Sequence, residues 1–159
     1  MKILGIDPGY DIVGWSVISD KFKVFDYGII KTSPQDTIDT RLLHIHRSLD
    51  SLIEDFSPDC ASLERLFFQK NSKTVMSVSA AIGVIMLTLK MKDIRFFEYT
   101  PPQVKQSITG FGRAGKDQVE FMIKKILNLK EIKGPDDAAD ALSIALCHAL
   151  CHKMNNPGR

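Results

Sequence analysis

Apolar positions along the chain follow two different periods. Near the N-terminus they come in short runs, Ile3-Leu4-Gly5-Ile6, then Ile12 to Ile18, then Phe22 to Lys31. β-Branched and aromatic residues dominate them, which predicts three strands. Their short connections predict antiparallel hairpins. From Thr37 to Phe56 the period becomes helical, with Leu42, Ile45, Leu49, Leu52, Ile53 and Phe56 on one face. Cys60 to Arg65 reads as a fourth strand. A long helix capped at Asn71 or Ser72 runs to about Met91. Its apolar face holds Val75, Val78, Ile82, Ile85 and Leu89, and its other face is also small or apolar (Ala81, Val84, Met86). A helix apolar on both sides is either central in the core or shared with a partner chain.

Ile94 to Tyr99 reads as a fifth strand, and Pro101-Pro102 opens a short helix. Thr109 to Lys116 contains Gly110, Gly112 and Gly115 and reads as a mobile loop. Asp117 to Leu129 is an amphipathic helix, and Asp136 to His152 is the last one. The pattern predicts an α/β domain over residues 1–152, a five-stranded mixed sheet with helices on both faces, and a short polar tail over 153–159.

One residue stands out against the first strand. Asp7 interrupts an apolar run just before the Pro8-Gly9 turn. Burying an unpaired carboxylate is costly, so such a group either caps the turn or keeps company with a cation. Three later acids can join it. Glu64 ends the fourth strand, and Asp137 and Asp140 share a face in the first turns of the last helix. If the first and fourth strands are parallel neighbours, Asp7 and Glu64 emerge on the same sheet edge, where open α/β sheets place their ligands. Acids at a helix start are also favoured by the helix dipole alone, and that simpler role suits Asp136. Hard oxygen donors suit Mg²⁺ or Mn²⁺, and a converging set can hold two such ions to hydrolyse a phosphodiester.

Composition narrows the partners. Net charge is only +2, so a polyanion must be gripped by a local cluster of Lys and Arg. Lys70 and Lys73 can touch phosphates, and Arg113 in the glycine-rich loop can reach a backbone phosphate. An aromatic at Phe67 or Phe68 can stack on an unpaired base. Three cysteines in no extracellular pattern, no charged-then-apolar leader and no convincing membrane span predict a soluble cytoplasmic protein. Cys147-His148 and Cys151-His152 are spaced for zinc but lie on one helix, so the cysteines read as packing residues.

The segments ILGIDPG, LERLFFQKN, PPQVKQSITGFGRAGK and DDAADALSIALCH, in that order, resemble the RuvC Holliday-junction resolvases, which have an RNase H-like fold. The resemblance covers nearly the whole chain. It implies that Asp7, Glu64, Asp137 and Asp140 are the catalytic and metal-binding acids, with two Mg²⁺ per site and Mn²⁺ as a substitute. It implies that Phe67 stacks at the junction point, and that Lys105 and Lys116 lie near the scissile strand. It further implies a homodimer packed through the long helix, symmetric paired nicks in a four-way DNA junction during recombination and repair, and cooperation with a RuvA–RuvB motor. Arg65 departs from many relatives; it contacts DNA or pairs with Asp136. The rival readings are an actin-like ATPase or kinase fragment and a non-catalytic junction-binding protein of the same fold. The first needs a second domain and a second phosphate loop, and the second does not need all four acids.

Overall fold

The computed structural model describes residues 1–65 and 75–155. Five strands form one sheet: β1 (Lys2–Asp7), β2 (Ile12–Ser19), β3 (Val24–Lys31), β4 (Cys60–Glu64) and β5 (Phe96–Tyr99), in the order β3-β2-β1-β4-β5. β1–β2 and β2–β3 are antiparallel hairpin pairs, whereas β1–β4 and β4–β5 are parallel. β1 is therefore central and covered on both faces, which is why its sequence is a continuous apolar run.

Side chains alternate across the sheet, and that parity places everything else. Leu4, Ile6, Val13, Val17, Ala61 and Leu63 point to the face covered by α1 (Ile38–Phe56) and α2 (Val75–Met91). The core ridge of α1 is Ile45, Leu49 and Ile53, as its spacing predicts. On α2 the fully buried ridge is Ala81, Ile85 and Leu89, while Ile82 is only half-buried. The helix is thus rotated from the predicted face, with the small Ala81 set inward.

Ile3, Ile18 and Cys60 point the other way, toward α3 (Pro101–Thr109), α4 (Lys116–Ile126) and α5 (Asp136–Asn155). So do Gly5, Gly14, Ser16 and Ser62, which make a trough of small residues for α5. A Cβ on Gly5 would stand 2.3 Å from the Ala141 carbonyl oxygen, and one on Gly14 would stand 2.0 Å from the Asp137 carbonyl oxygen. The buried Ser16 hydroxyl donates to Ala141 O at 2.8 Å, and the Ser62 hydroxyl donates to Ile144 O at 3.2 Å. The helix is buried all round, its outer side packing under α3 and α4, which explains its apolar, weakly amphipathic sequence.

Element boundaries shift where turns claim residues. Phe22 has φ 66° and belongs to the β2–β3 turn, closed by Ser19 N–H donating to Lys23 O, so β3 starts later than predicted. Ile94 N–H donates back to Leu89 O, which leaves β5 only from Phe96. α4 stops at Ile126 because Asn128 turns left-handed, at φ 54°. α5 runs on to Asn155, into the stretch read as tail. Thr100 and Gln103 form a capping box that starts α3. The α3–α4 segment, predicted to be mobile, is tied down. Gln106 Nε2 donates to Gly110 O at 2.8 Å, and Ala114 is buried in the core. No helix among the described residues is long and apolar enough to cross a membrane.

Gly5→Ala forces either β1 or α5 to move, and overpacking of this kind costs about 3 kcal/mol. Chemical denaturation should report that loss, and an unchanged midpoint would show that α5 is not seated this closely.

Candidate active site

Asp7 is two residues beyond Gly5 on β1, and Glu64 is two beyond Ser62 on β4. Both therefore lie on the α5 face, at the carboxyl edge of neighbouring parallel strands. α5 runs antiparallel to these strands and begins at that same edge. Its first turns bring Asp137 and Asp140 there. One point shows how near they come: the position of a Cβ on Gly14 lies 3.2 Å from Asp7 Cβ and 2.0 Å from Asp137 O. Gly14 is also the register partner of Asp7 in the β1–β2 pair. The absence of a side chain there lets the two acids share the edge.

The electrostatics follow from that crowding. Burial, then the charges of Glu64, Asp140 and Asp137, push the Asp7 carboxyl up to about 8, against a smaller opposing pull from Lys116. Burial and Asp140 push Glu64 above the ordinary carboxylate range, opposed by Lys105. Burial also raises Asp140, opposed first by Lys116 and reinforced by Asp136 and Asp137. The acids are thus held in an under-neutralised group that disfavours its own ionisation.

A cavity of about 220 Å³ opens beside them. Glu64, Asp140, Lys105 and Lys116 line it together with aliphatic residues of α3, α4 and α5. Lys116 is exposed and bonds Asp136 at 2.7 Å, a contact that raises its pKa. Asp136 is therefore a first-turn acid paired with Lys116, and the alternative pairing with Arg65 does not form. Arg65 instead reaches Glu98 at 3.5 Å. Arg113 is exposed on the α3–α4 segment and is absent from the cavity wall. Phe67, Phe68, Lys70 and Lys73 lie outside the described residues.

Among the described residues, no three His, Cys, Asp or Glu side chains are grouped tightly enough to chelate an ion between them. The four acids are neighbours around a common edge, not a closed cage. On α5, Cys147 is a core residue packed among apolar neighbours. Carboxylate oxygens with no thiolate or imidazole among them fit a hard divalent cation, and the raised carboxyl pKa values mark a place where added positive charge is favoured.

One part of the site is not evident from sequence pattern. Arg41, one turn before Ile45 on the apolar ridge of α1, is buried. Its Nε donates to Thr32 Oγ1 at 2.9 Å, it pairs with Asp11, and its guanidinium stacks 3.7 Å from the Tyr10 ring. It fixes the turn that follows Asp7. The only sequence signal is an Arg within the apolar spacing of a helix.

A raised carboxyl pKa means that the folded protein binds more protons than the unfolded chain between the two values. Asp7 therefore contributes a stability that is full below about pH 4 and declines until pH passes about 8. In chelator, thermal midpoints should fall across this window, and Asp7→Asn should flatten the decline and raise the midpoint at pH 8 by several degrees. A variant that melts like the parent at every pH would contradict the burial of this carboxylate.

The comparisons with known proteins agree with this architecture. A family described as crossover junction endodeoxyribonuclease RuvC matches residues 3–148. The chain is similar to the crossover junction endodeoxyribonuclease RuvC of Caldicellulosiruptor saccharolyticus, at 50% identity over 94% of this chain and 93% of the relative. To that of Finegoldia magna it is 48% identical, over 97% and 96%. Among solved structures, T. thermophilus RuvC in complex with a Holliday junction substrate superposes with a TM-score of 0.92 at 34% identity, covering 98% of this chain and 96% of that one. The yeast mitochondrial resolvase Ydc2, at 14% identity and a TM-score of 0.66 over 96% of this chain and 81% of its own, shares the fold.

Proposed function

The chain belongs to the RuvC family of crossover junction endodeoxyribonucleases, and we propose that Asp7, Glu64, Asp137 and Asp140 are the acids that carry this activity, with two Mg²⁺ ions as cofactor and Mn²⁺ able to substitute. The observation that carries the reading is Asp7: a carboxylate buried at a central strand end, driven to about 8 by burial and by the three other acids. A group so placed is tolerable in its ionised form only beside added positive charge. Bound divalent cations supply a nucleophile available near neutral pH and positive charge opposite the departing oxygen.

The chain's own residues set the rest. Asp7 and Glu64 hold their places through the rigid β1–β4 pair, and Asp137 and Asp140 through the seating of α5. Lys105 and Lys116 stand at the cavity beside the acids, where they attract a phosphate backbone and offset the repulsion between it and the carboxylates. The exposed Arg113, near Lys116 in sequence, extends that basic border. With a net charge of only +2, DNA attraction resides in this border and not in the whole surface. The substrate is a four-way DNA junction, cut by hydrolysis of one phosphodiester in each of two opposed strands.

Two equivalent cuts call for two active sites, and α2 offers the surface to join them. Its outer face carries Met76, Leu87 and Met91, exposed by 83%, 59% and 65%. α5 is as weakly amphipathic, but α3 and α4 cover it. Among the described residues nothing covers the outer face of α2, which supports a homodimer through this helix.

Asp7→Asn should abolish Mg²⁺-dependent nicking of a synthetic four-way junction while leaving junction binding in chelator intact; retained nicking would remove Asp7 from the site. Lys116→Ala should slow nicking by about tenfold with an unchanged thermal midpoint, since its side chain is exposed. Leu87→Glu should yield monomers by light scattering and single, uncoupled nicks. Dimers that survive this change would place the interface elsewhere.

A further inference from the structure

α5 carries acids at its first turns and a buried imidazole farther along. His148 lies eleven residues beyond Asp137, about three turns on and on the same face. It is 3% exposed, and its ring stacks on Phe97 with centroids 4.4 Å apart. Its Nδ1 is 2.7 Å from the Tyr99 hydroxyl, and its Nε2 is 3.5 Å from Cys60 Sγ. Burial, helped by His152, lowers its pKa to about 4, so the ring is neutral at pH 7. A neutral imidazole accepts at one nitrogen and donates at the other. Cys60 Sγ also lies 4.0 Å from Met1 Sδ. Either tautomer satisfies both contacts, one ring nitrogen donating and the other accepting, so the ring ties the Tyr99 hydroxyl to the Cys60 thiol.

Both partners of the ring belong to the strands that present Glu64. Cys60 opens β4, the strand that Glu64 ends. Tyr99 is the register partner of Glu64 on β5, and its carbonyl accepts from Arg65 N–H at 2.8 Å. Ser16 and Ser62 hold the middle of α5 by its backbone. His148 ties the next turn of the helix to the two strands beside Glu64. A helix on a trough of small residues can rotate or slide unless something directional stops it. Rotation at the His148 end moves Asp137 and Asp140 relative to Glu64.

We propose that His148 is a positioning residue for the cation-binding acids: through Tyr99 and Cys60 it locks α5 in the register that brings Asp137 and Asp140 to Glu64. This inference rests on the proposed function. Its site lies eight residues beyond Asp140, about 12 Å farther along α5, so it contributes no ligand and touches no substrate.

The test compares the intact protein with His148→Phe, Tyr99→Phe and the double variant. Phe at 148 keeps a ring against Phe97 and removes both bonds. Three quantities are read: Mn²⁺ affinity of DNA-free protein by electron paramagnetic resonance, single-turnover nicking of a four-way junction, and junction affinity in chelator. Each single variant should bind Mn²⁺ about tenfold more weakly and nick about tenfold more slowly. Junction affinity should not change, and the double variant should be no worse than His148→Phe alone, which already removes the tie to Tyr99. Folded variants with parental Mn²⁺ affinity would overturn the proposal, as would slower nicking without weaker Mn²⁺ binding. If His148→Phe does not fold, Tyr99→Phe decides the matter by the same readings. A parent chain that binds Mn²⁺ yet leaves junctions uncut refutes the proposed function, while the Mn²⁺ comparison still judges His148.

Discussion

The close seating of α5 on β1 and β2 is the constraint from which the rest follows. Gly5 and Gly14 leave no room for even a methyl group between sheet and helix. Ser16 and Ser62 use that proximity to bond helix carbonyls already engaged in the helix ladder. The contact is thus both close-packed and directional, whereas apolar packing alone would leave the helix free to slide. Because α5 begins at the edge where β1 and β4 end, the same seating that builds half of the core delivers two acids to two others.

That delivery creates the chief electrostatic tension in the molecule. Four carboxylates gather at one edge, and among the described residues the cations that offset them are Lys105, half-buried, and Lys116, exposed and occupied with Asp136. The raised pKa values of Asp7, Glu64 and Asp140 express this imbalance. A fold optimised for stability alone would replace such a cluster with apolar groups. Its presence is the mark of a site that expects charge from outside the chain.

Much of this was legible in the sequence, for reasons that differ by residue. The hairpin strands announced themselves through β-branched runs, and Asp7 through its intrusion into one. Asp137 and Asp140 were visible as a helical pair. The full strand order was not, since it depends on pairings that local pattern does not encode. The trough was also hidden. Gly5, Gly14, Ser16 and Ser62 read as weak strand residues until the partner helix is known. Arg41 falls in line with Ile45, Leu49 and Ile53, but a charged residue there reads as polar until the turn after Asp7 supplies its partners. The inward face of α2 was misjudged because both of its faces are apolar, so periodicity could not choose between them. His148 was seen only as part of a cysteine–histidine pattern, because its partners come from strands far away in the chain.

The sheet also separates two independent halves of the interior. The α1–α2 layer and the α3–α5 layer each have their own apolar cluster, and the strands stand between them. Substitutions that reshape the outer surface of α2 are therefore insulated from the acids by the full thickness of the sheet. The interface proposed on α2 and the role proposed for the acids can therefore be altered separately, each without disturbing the packing behind the other.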